Sequence, residues 1–511
     1  MGTFSQIKYG AIISYVAISV NVIAGLLYTP WMIQSIGRAD FGLYTLAMSV
    51  ISLFVFDFGL SVAVTRFVAK YIAEEKTEET NGFLGLVFKL YLYLDLVILA
   101  VLLGIFFFIP QIYKELTPEE IDKFQVVYII ASIFSIMSFP FIPVNGILTA
   151  HEKFIQLKLC DLGHKLVIVV AMSVCLLLGY GLYALVAVNA VAGIFTIGLK
   201  CYFIRRSTNT HINFKYKNRL ELREILGFSG WTTVISISQR FIFNITPSIL
   251  GIMSGSVGIA LFGIAMTIEG YIFIFANAIN GLFLPRVTQT MNRGQKDILP
   301  LMIRVGRIQI FIIGLIIIGF ISLGQDFITL WVGPDFRATY VCAVLLILPS
   351  FVQLPQEIAA TAVVVQNKVR AQAYVYLIMA AINILLALLF TKYWGALGAA
   401  VSICIAYIFR TIGMNYLYYK MLHIDLLSFF RESFFKMGPA LFSGLFSGLL
   451  IQYFVPLSGW MGFLVKGILL VSVYLVIMWR KALNDSERNL FLQPILLIYK
   501  KYLQSNTRCS D

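Results

Sequence analysis

The chain has 511 residues, of which 59% are hydrophobic and only 13% are charged. A soluble domain is about 45–50% apolar and about 25% charged, so this composition excludes a soluble fold and predicts a membrane protein throughout. The formal net charge of +14 could suit nucleic acid, but the basic residues concentrate in loops and in the C-terminal tail. That placement is typical of a membrane topology signal, so we expect no nucleic-acid partner.

Apolar runs of about 20 residues, the length that crosses a bilayer, recur along the whole chain. They predict about 14 transmembrane helices, at residues 9–36, 41–67, 83–109, 124–149, 159–179, 182–204, 224–250, 257–285, 304–323, 338–364, 373–391, 395–418, 437–455 and 460–479. The predicted fold class is an all-α integral membrane protein. No loop is long enough to house an extramembrane catalytic domain, so we do not expect an enzyme.

Basic residues divide the loops into two sets. One set carries only five of them, which are Arg38, Lys114, Lys123, Arg337 and Lys392. The other set holds seven within residues 200–223 alone, and more around 286–307 and in the tail. By the positive-inside rule, the basic loops and both termini face the cytoplasm. The same loops favour anionic lipid headgroups as partners.

The second predicted helix contains "FVFDFGLSVAVTRF" (54–67), with Asp57 in its middle and Arg66 nine residues later. The letters DFG occur in kinase metal sites, but no glycine-rich loop, lysine strand or catalytic loop accompanies them here. There is also no GxxxxGK[ST] phosphate loop, and the cysteines and histidines lack metal-ligand spacing. We therefore expect no metal and no cofactor.

An ionisable side chain at bilayer depth costs about 2.5–3.5 kcal/mol on insertion scales and usually faces a cavity or a partner. Polar stripes of this kind run along the second, seventh and eighth predicted helices. The candidates for cavity lining and substrate binding are Arg240, Asn244, Arg66, Asp57, Asn280 and Arg410. The candidates for ion coupling are Asp57, Glu269, Asp95 and Glu357.

Each candidate also has a structural interpretation. Arg240 could neutralise Glu269 or Asp57 as a buried pair, and Asp57 could serve helix packing. Cations near the cytoplasmic helix ends, which include Arg66, Lys165 and Arg410, are expected mostly to extend their charged groups to the lipid headgroups.

Three pairs of segments indicate that one unit is used twice. "GRADFGLYTLAMSV" (37–50) matches "GSVGIALFGIAMTI" (255–268) at an offset of 218 residues. Further matches pair Pro140 with Pro355 and Gly181 with Gly395, at offsets of 215 and 214. An offset of six helices keeps both copies in one orientation, so the repeats are parallel about an axis along the membrane normal.

The predicted domains follow from this repeat. They are an N-terminal lobe at 1–204 (helices 1–6), a basic cytoplasmic inter-lobe loop at 205–223, a C-terminal lobe at 224–418 (helices 7–12), helices 13–14 at 419–479, and a basic cytoplasmic tail at 480–511. Two parallel lobes suggest alternating access around a central cavity.

Residues 29–71 resemble the N-terminal signature of polysaccharide-repeat-unit flippases, in the multidrug/oligosaccharidyl-lipid/polysaccharide exporter (MOP) superfamily. The matching positions are Gly37, Phe41 to Tyr44, Asp57, Gly59, Leu60, Ala63 and Arg66. The segment "ILTAHEKFIQLKL" and the six-plus-six plan also resemble that family. The chain departs from it at Arg240, where an acidic residue is common in relatives.

The resemblance implies a bacterial cytoplasmic-membrane flippase that moves an undecaprenyl-diphosphate-linked oligosaccharide from the inner to the outer leaflet. It implies that Arg240, with Arg66 and Arg410, pairs with the diphosphate, and that other polysaccharide-assembly membrane proteins are partners. Two alternatives share the fold, namely a cation-coupled multidrug exporter and a lipid-linked peptidoglycan-precursor flippase. An alternative of another class is a membrane glycosyltransferase or polymerase.

Overall fold

The computed structural model describes the backbone of residues 3–54, 57, 60–208, 210–292, 298–366, 368–485 and 487–489. It describes their side chains except at 3–15, 54, 62, 224–226, 228–229 and 275–292. Over these ranges the chain is helical, with no strand. The α-helices in chain order are α1 (Thr3–Phe54), α2 (Leu60–Ala73), α3 (Thr77–Ile112), α4 (Pro118–Ser138), α5 (Val144–Ala150), α6 (Phe154–Leu177), α7 (Leu182–Ser207), α8 (Arg219–Phe243), α9 (Ile245–Met253), α10 (Gly255–Asn292), α11 (Leu299–Trp331), α12 (Thr339–Ile347), α13 (Ser350–Gln353), α14 (Glu357–Val365), α15 (Val369–Leu422), α16 (Leu426–Phe430), α17 (Lys436–Phe454) and α18 (Gly459–Lys481).

Within the described residues, 11 helical segments are long and apolar enough to cross a membrane. The predicted all-α membrane fold is therefore confirmed. Two of the helices are too long for one crossing, because α1 has 52 residues and α15 has 54. At about 1.5 Å per residue, each would be about 80 Å long if it were straight, whereas the hydrocarbon core of a bilayer is about 30 Å thick.

A bend at Gly395 (φ 52°, ψ −130°) divides α15 into two arms. The arms run antiparallel, since Ser402 Oγ donates to Asn383 Oδ1 at 3.3 Å and, further from the bend, Arg410 donates to the Tyr376 hydroxyl. The bend lies where the sequence predicts a boundary between the eleventh and twelfth helices. Glycine allows it because, without a Cβ, positive φ carries little steric cost.

Two of the three residue pairs from the sequence repeat share local conformations, whereas Gly181 (φ −95°) and Gly395 (φ 52°) do not. Gly37, at which α1 bends, and Gly255, which begins α10, both have positive φ, at 83° and 73°. Pro140 and Pro355 each lie in a short 3-10 turn, at Phe139–Phe141 and Leu354–Gln356. These likenesses are local and support the repeat, while the helix count and lobe symmetry stay predictions.

The second predicted helix is not continuous, because α1 ends at Phe54 and α2 begins at Leu60. Asp57 lies between them outside any helix, and its carboxylate accepts a hydrogen bond from the Ser61 backbone N–H at 3.0 Å. A short acidic side chain that binds a first-turn amide favours a helix start over a helix interior. The second predicted helix is therefore interrupted at Asp57.

By packing, the chain forms two compact units. The first comprises Met1–Phe275, Trp331–Leu346 and Asn367–Met414, and the second comprises Ala276–Leu330, Ile347–Gln366 and Asn415–Asp511. The first unit contains the α1 hairpin, α2 to α9 and most of α15. In the second, α11, α17 and α18 share a core around Tyr474, whose hydroxyl donates to the Phe311 carbonyl at 2.8 Å. The two units are defined by packing, whereas the predicted lobes are defined by the sequence repeat. The division into lobes therefore stays a prediction.

Candidate functional site

A cavity of about 470 Å³ opens within the first unit. Both arms of α1, α6, α10 and the residue between α8 and α9 line it. The lining residues are Tyr28, Thr29, Met32, Phe41, Tyr44, Thr45, Met48, Ser49, Ser52, Lys165, Asn244, Gly263, Met266, Thr267 and Tyr271. We call it the central cavity. The positions recur at spacings of three and four, so each helix presents one face to it.

Hydroxyl groups dominate the chemistry of the central cavity, and many of its lining residues are threonine, serine or tyrosine. The Tyr44 hydroxyl accepts a hydrogen bond from Asn189 Nδ2 at 3.0 Å, whereas the buried Tyr28 hydroxyl has no partner among the described residues. Tyr271 packs against Gly25, where a Cβ atom would lie 1.9 Å from its hydroxyl oxygen. The wall therefore offers polar groups that a ligand could bind.

Lys165 is the charged residue among the described lining side chains, and none of them is acidic. It lies in α6, and no hydrogen bond or ion pair joins its amine to another described residue. The sequence interpretation placed Lys165 with the cations that extend to the headgroups, whereas in the structure it lines the cavity. Its position in the middle of α6, away from the helix ends, was the sequence signal that could have predicted a cavity-lining role.

Arg240 and Asn244 lie one turn apart at the end of α8. The Asn244 side chain lines the central cavity. An Nη1 group of Arg240 donates to the Ser52 carbonyl at 3.4 Å, and Ser52 is itself a lining residue. The break between α8 and α9 thus brings Asn244 to the cavity, whereas Arg240 is not a lining residue and contacts the backbone of one.

Two other predicted cations lie elsewhere. Arg410 is buried, and its guanidinium donates twice to the Tyr376 hydroxyl, at 3.1 and 2.6 Å, within the α15 hairpin. Arg66 is exposed on α2. Neither residue is among those that line the central cavity.

The predicted acidic residues are dispersed. Asp57 accepts a hydrogen bond from the Tyr91 hydroxyl at 3.3 Å. Asp95 is buried on α3, and its Oδ1 has no hydrogen-bond partner among the described residues. Glu269 is half-buried on α10, two residues from both Thr267 and Tyr271 and therefore on the side away from the cavity.

Two further candidates complete the predicted set. Glu357 begins α14 in the second unit and is partly buried. The Asn280 side chain lies outside the described residues. Of the predicted residues, the structure thus places Asn244 in the wall of the central cavity and Arg240 against the Ser52 carbonyl. It adds Lys165 and three tyrosines to that wall.

Comparison with known proteins supports a common origin. A family model described as "Polysaccharide biosynthesis protein" matches residues 7–291, which is more than half of the chain. The uncharacterized membrane protein EpsK of Bacillus subtilis (strain 168) is 21% identical over 511 aligned residues, covering 93% of this chain and 95% of that protein.

Two solved structures show the same fold. The lipid II flippase MurJ, in an inward closed conformation, is similar with a TM-score of 0.71 and 15% identity, over 96% of this chain and 100% of that one. An inward-facing multidrug resistance MATE family transporter of the MOP superfamily is similar with a TM-score of 0.63 and 16% identity, over 81% of this chain and 97% of that one. With the family match and the apolar helices, these likenesses confirm the resemblance: the chain is a multi-pass membrane protein that belongs to the polysaccharide biosynthesis protein family and has the MOP-superfamily transporter fold.

Proposed function

We propose that this protein moves an undecaprenyl-diphosphate-linked oligosaccharide from the inner to the outer leaflet of a bacterial cytoplasmic membrane by alternating access. The observation that carries the proposal is the central cavity, with its hydroxyl-rich wall, its tyrosines and Lys165. Its volume of about 470 Å³ lies within the range of about 300–1,000 Å³ that is usual for ligand sites.

The sugar and the diphosphate require different chemical groups in the wall of the cavity. Sugar hydroxyls exchange hydrogen bonds with threonine, serine and tyrosine hydroxyls of the kind that line the central cavity. A diphosphate needs cations, which Lys165 supplies in the cavity and Arg240 supplies beside Ser52. The lipid tail stays in the bilayer, so only the head group requires this polar environment.

A cation-coupled multidrug exporter is the alternative that the cavity discriminates best. A cationic substrate favours an acidic pocket, since unlike charges attract within a low-dielectric site. The described lining of the central cavity has a lysine and no acid. The peptidoglycan-precursor flippase remains closer in chemistry, because its substrate is also a lipid-linked diphosphate sugar.

Several roles belong to the same proposal. Asp57, Asp95, Glu269 and Glu357 are the candidates for ion coupling. Arg66 and Arg410 remain candidates for contact with the diphosphate in another conformation of the cycle. Both termini face the cytoplasm, and other polysaccharide-assembly membrane proteins act with the flippase in the same membrane.

The test is transport of a lipid-linked oligosaccharide in proteoliposomes, measured as the fraction that an impermeant glycosidase can cleave from outside. We expect Lys165→Ala to slow transport about tenfold or more, because a lost charge-assisted hydrogen bond costs about 1.5–3 kcal/mol. Lys158→Ala is the matched control, since Lys158 lies on the same helix and pairs with Asp161 at 3.7 Å outside the cavity.

Arg240 provides the second arm of this test. Arg240→Ala should abolish translocation while the protein still inserts, and Arg240→Lys should keep part of it because the charge remains. Wild-type rates in both Lys165→Ala and Arg240→Ala would contradict the proposed diphosphate site. Cleavage or elongation of the oligosaccharide by the purified protein itself would favour an enzyme.

A further inference from the structure

A second cavity, of about 370 Å³, lies in the first unit and shares no lining residue with the central cavity. One wall is apolar and includes Leu84 and Phe88 of α3 and Ile147 of α5. The facing wall comes from the end of α7, with Cys201 and Arg205, and from the segment after it. We call it the linker cavity, because residues 208 and 210–212 of the predicted inter-lobe loop line it.

The loop that forms this wall is fastened to α3. The Asn213 backbone N–H donates to the Asn81 carbonyl at 3.0 Å, and Lys89 Nζ donates to the Tyr216 carbonyl at 2.9 Å. A Cβ atom at Gly85 would lie 1.9 Å from the Asn213 carbonyl oxygen, so the two backbones pack without space for a side chain. The linker cavity is therefore built from fixed walls.

Charge at the mouth of the linker cavity is positive. Arg205 is exposed, and no hydrogen bond or ion pair joins it to another described residue, whereas the adjacent Arg206 donates to the Tyr202 hydroxyl at 2.9 Å. Lys215 and Lys217 are also exposed on the loop. An anion at the mouth would therefore contact the Arg205 guanidinium, and no other described residue would compete for it.

The loop also exposes apolar side chains beside these cations. Ile212 is 41% exposed and Phe214 is 49% exposed, next to Lys215. Exposed apolar groups that alternate with cations are typical of segments that lie in the interface of an anionic membrane. A soluble anion would use the basic mouth and leave the apolar wall uncovered, whereas a phospholipid satisfies both.

We propose that the linker cavity binds an anionic phospholipid, with an acyl chain against Leu84, Phe88 and Ile147 and the phosphate at Arg205. Because the inter-lobe loop supplies part of the wall, the bound lipid joins this loop to α3 and α5. This site is separate from the central cavity and does not depend on the identity of the transported substrate.

Cys201 gives a direct probe, because it lines the linker cavity and is half-buried. The full-length protein would keep Cys201 and carry alanine at its other five cysteines. We would measure alkylation by an uncharged maleimide in phosphatidylglycerol nanodiscs and in phosphatidylcholine nanodiscs. We expect alkylation to be about fivefold slower in phosphatidylglycerol, the effect of one basic residue at an anionic surface.

Matched variants separate the site from general surface charge. Arg205→Ala should remove the difference between the two lipids, and Arg205→Lys should retain most of it. Arg206→Ala, which removes the same charge one residue away, should leave the difference unchanged. Native mass spectrometry should in parallel show fewer retained phosphatidylglycerol molecules on Arg205→Ala than on Arg206→Ala.

Three results would overturn the proposal. The first is equal alkylation of the parent protein in both lipids. The second is a phosphatidylglycerol effect that persists in a folded Arg205→Ala variant. The third is full protection of Cys201 by glycerol phosphate in phosphatidylcholine, because a soluble phosphate ester would then be the ligand. Each readout is binding, so a failure here would leave the transport proposal standing.

Discussion

The Asp57 carboxylate connects α2 and α3 through two hydrogen bonds. It accepts from the Ser61 backbone N–H at 3.0 Å, at the start of α2, and from the Tyr91 hydroxyl of α3 at 3.3 Å. A hydrogen bond to an ionised acceptor is stronger than a neutral one. Asp57 therefore holds the break between α1 and α2 in place. No ion pair seen between described residues involves it, so its predicted coupling to Arg240 stays a prediction.

A pair of double-mutant cycles would separate these two roles of Asp57. We expect Asp57→Asn and Tyr91→Phe to couple by about 1 kcal/mol in the free energy of unfolding, measured by titration with a denaturing detergent, because they remove one shared contact. In the second cycle, which combines Asp57→Asn with Arg240→Gln, strictly additive losses would contradict the predicted ion pair and leave Asp57 with the helix break alone. Strong coupling in the second cycle would instead support the ion pair with Arg240.

At the scale of elements, two glycines turn long helices into hairpins. Gly37 has φ 83° and ψ 169°, a region that only glycine enters readily. This bend brings Tyr28 on one arm of α1 to the same cavity as Tyr44 on the other. The backbone at one position thus decides which side chains can share the site.

Alanine at Gly37 should therefore be destabilising through the backbone alone. No heavy atom lies within 4 Å of a Cβ built there, so no clash contributes. We expect Gly37→Ala to cost about 1–3 kcal/mol of stability. Gly104→Ala is the control, since it is also uncrowded but lies within α3, and it should stabilise by up to about 1 kcal/mol. Both shifts can be measured as unfolding midpoints in detergent, and shifts of the same sign would contradict the explanation.

In the second unit, α11 is fixed near both of its ends to α18 and to the segment that follows α18. Near its start, Arg307 Nε donates to Glu487 Oε1 at 2.5 Å, and the same guanidinium donates to the Ala482 carbonyl. Near its end, Lys466 Nζ of α18 donates to Asp326 Oδ2 at 3.2 Å. These contacts join α18 and the segment after it to α11.

Removal of one charge from the buried pair should be costly. Arg307 and Glu487 are 2% and 4% exposed, so Glu487→Ala leaves a guanidinium buried and should destabilise by about 3–5 kcal/mol. Lys436→Ala breaks the exposed pair with Glu432 and should change stability little, because solvent screens the two charges. Thermal unfolding in one detergent compares the two directly, and a similar loss in both would show that the buried pair does not hold α11.

At the scale of the whole molecule, the charge distribution is the main determinant of orientation. The net charge of +14 arises mostly from the loops and tail that the positive-inside rule assigns to the cytoplasm. The inter-lobe loop belongs to this basic set, and its Lys215 and Lys217 are exposed. The Thr117 capping box at the start of α4 lies in the set of loops with only five basic residues, beside Glu119.

Cysteine labelling would test this orientation. In a cysteine-free background, Lys217→Cys should resist an impermeant thiol reagent in intact cells, whereas Glu119→Cys should react, because its native side chain is 80% exposed. Permeabilised cells provide the control, in which both positions should react. The reverse pattern would invert the predicted topology.

Local sequence properties determined much of this architecture. Apolar length identified the membrane helices, because transfer free energy depends on local composition. The gaps between predicted helices, at 37–40 and 392–394, lie at or beside the bends at Gly37 and Gly395. The family resemblance was also readable from one stretch of 43 residues, 29–71. These features needed no knowledge of which helices meet.

Only the tertiary structure decided which polar groups share a site. Helical periodicity placed Arg240 and Asn244 on one face, but it did not reveal that Asn244 shares the central cavity with Lys165 or that Tyr376 holds Arg410. A polar stripe on a helix shows which of its residues point in the same direction, but it does not show which other helix they contact. That neighbour is set by packing between helices far apart in the chain, so the cavity chemistry emerged only when α1, α6 and α10 came together.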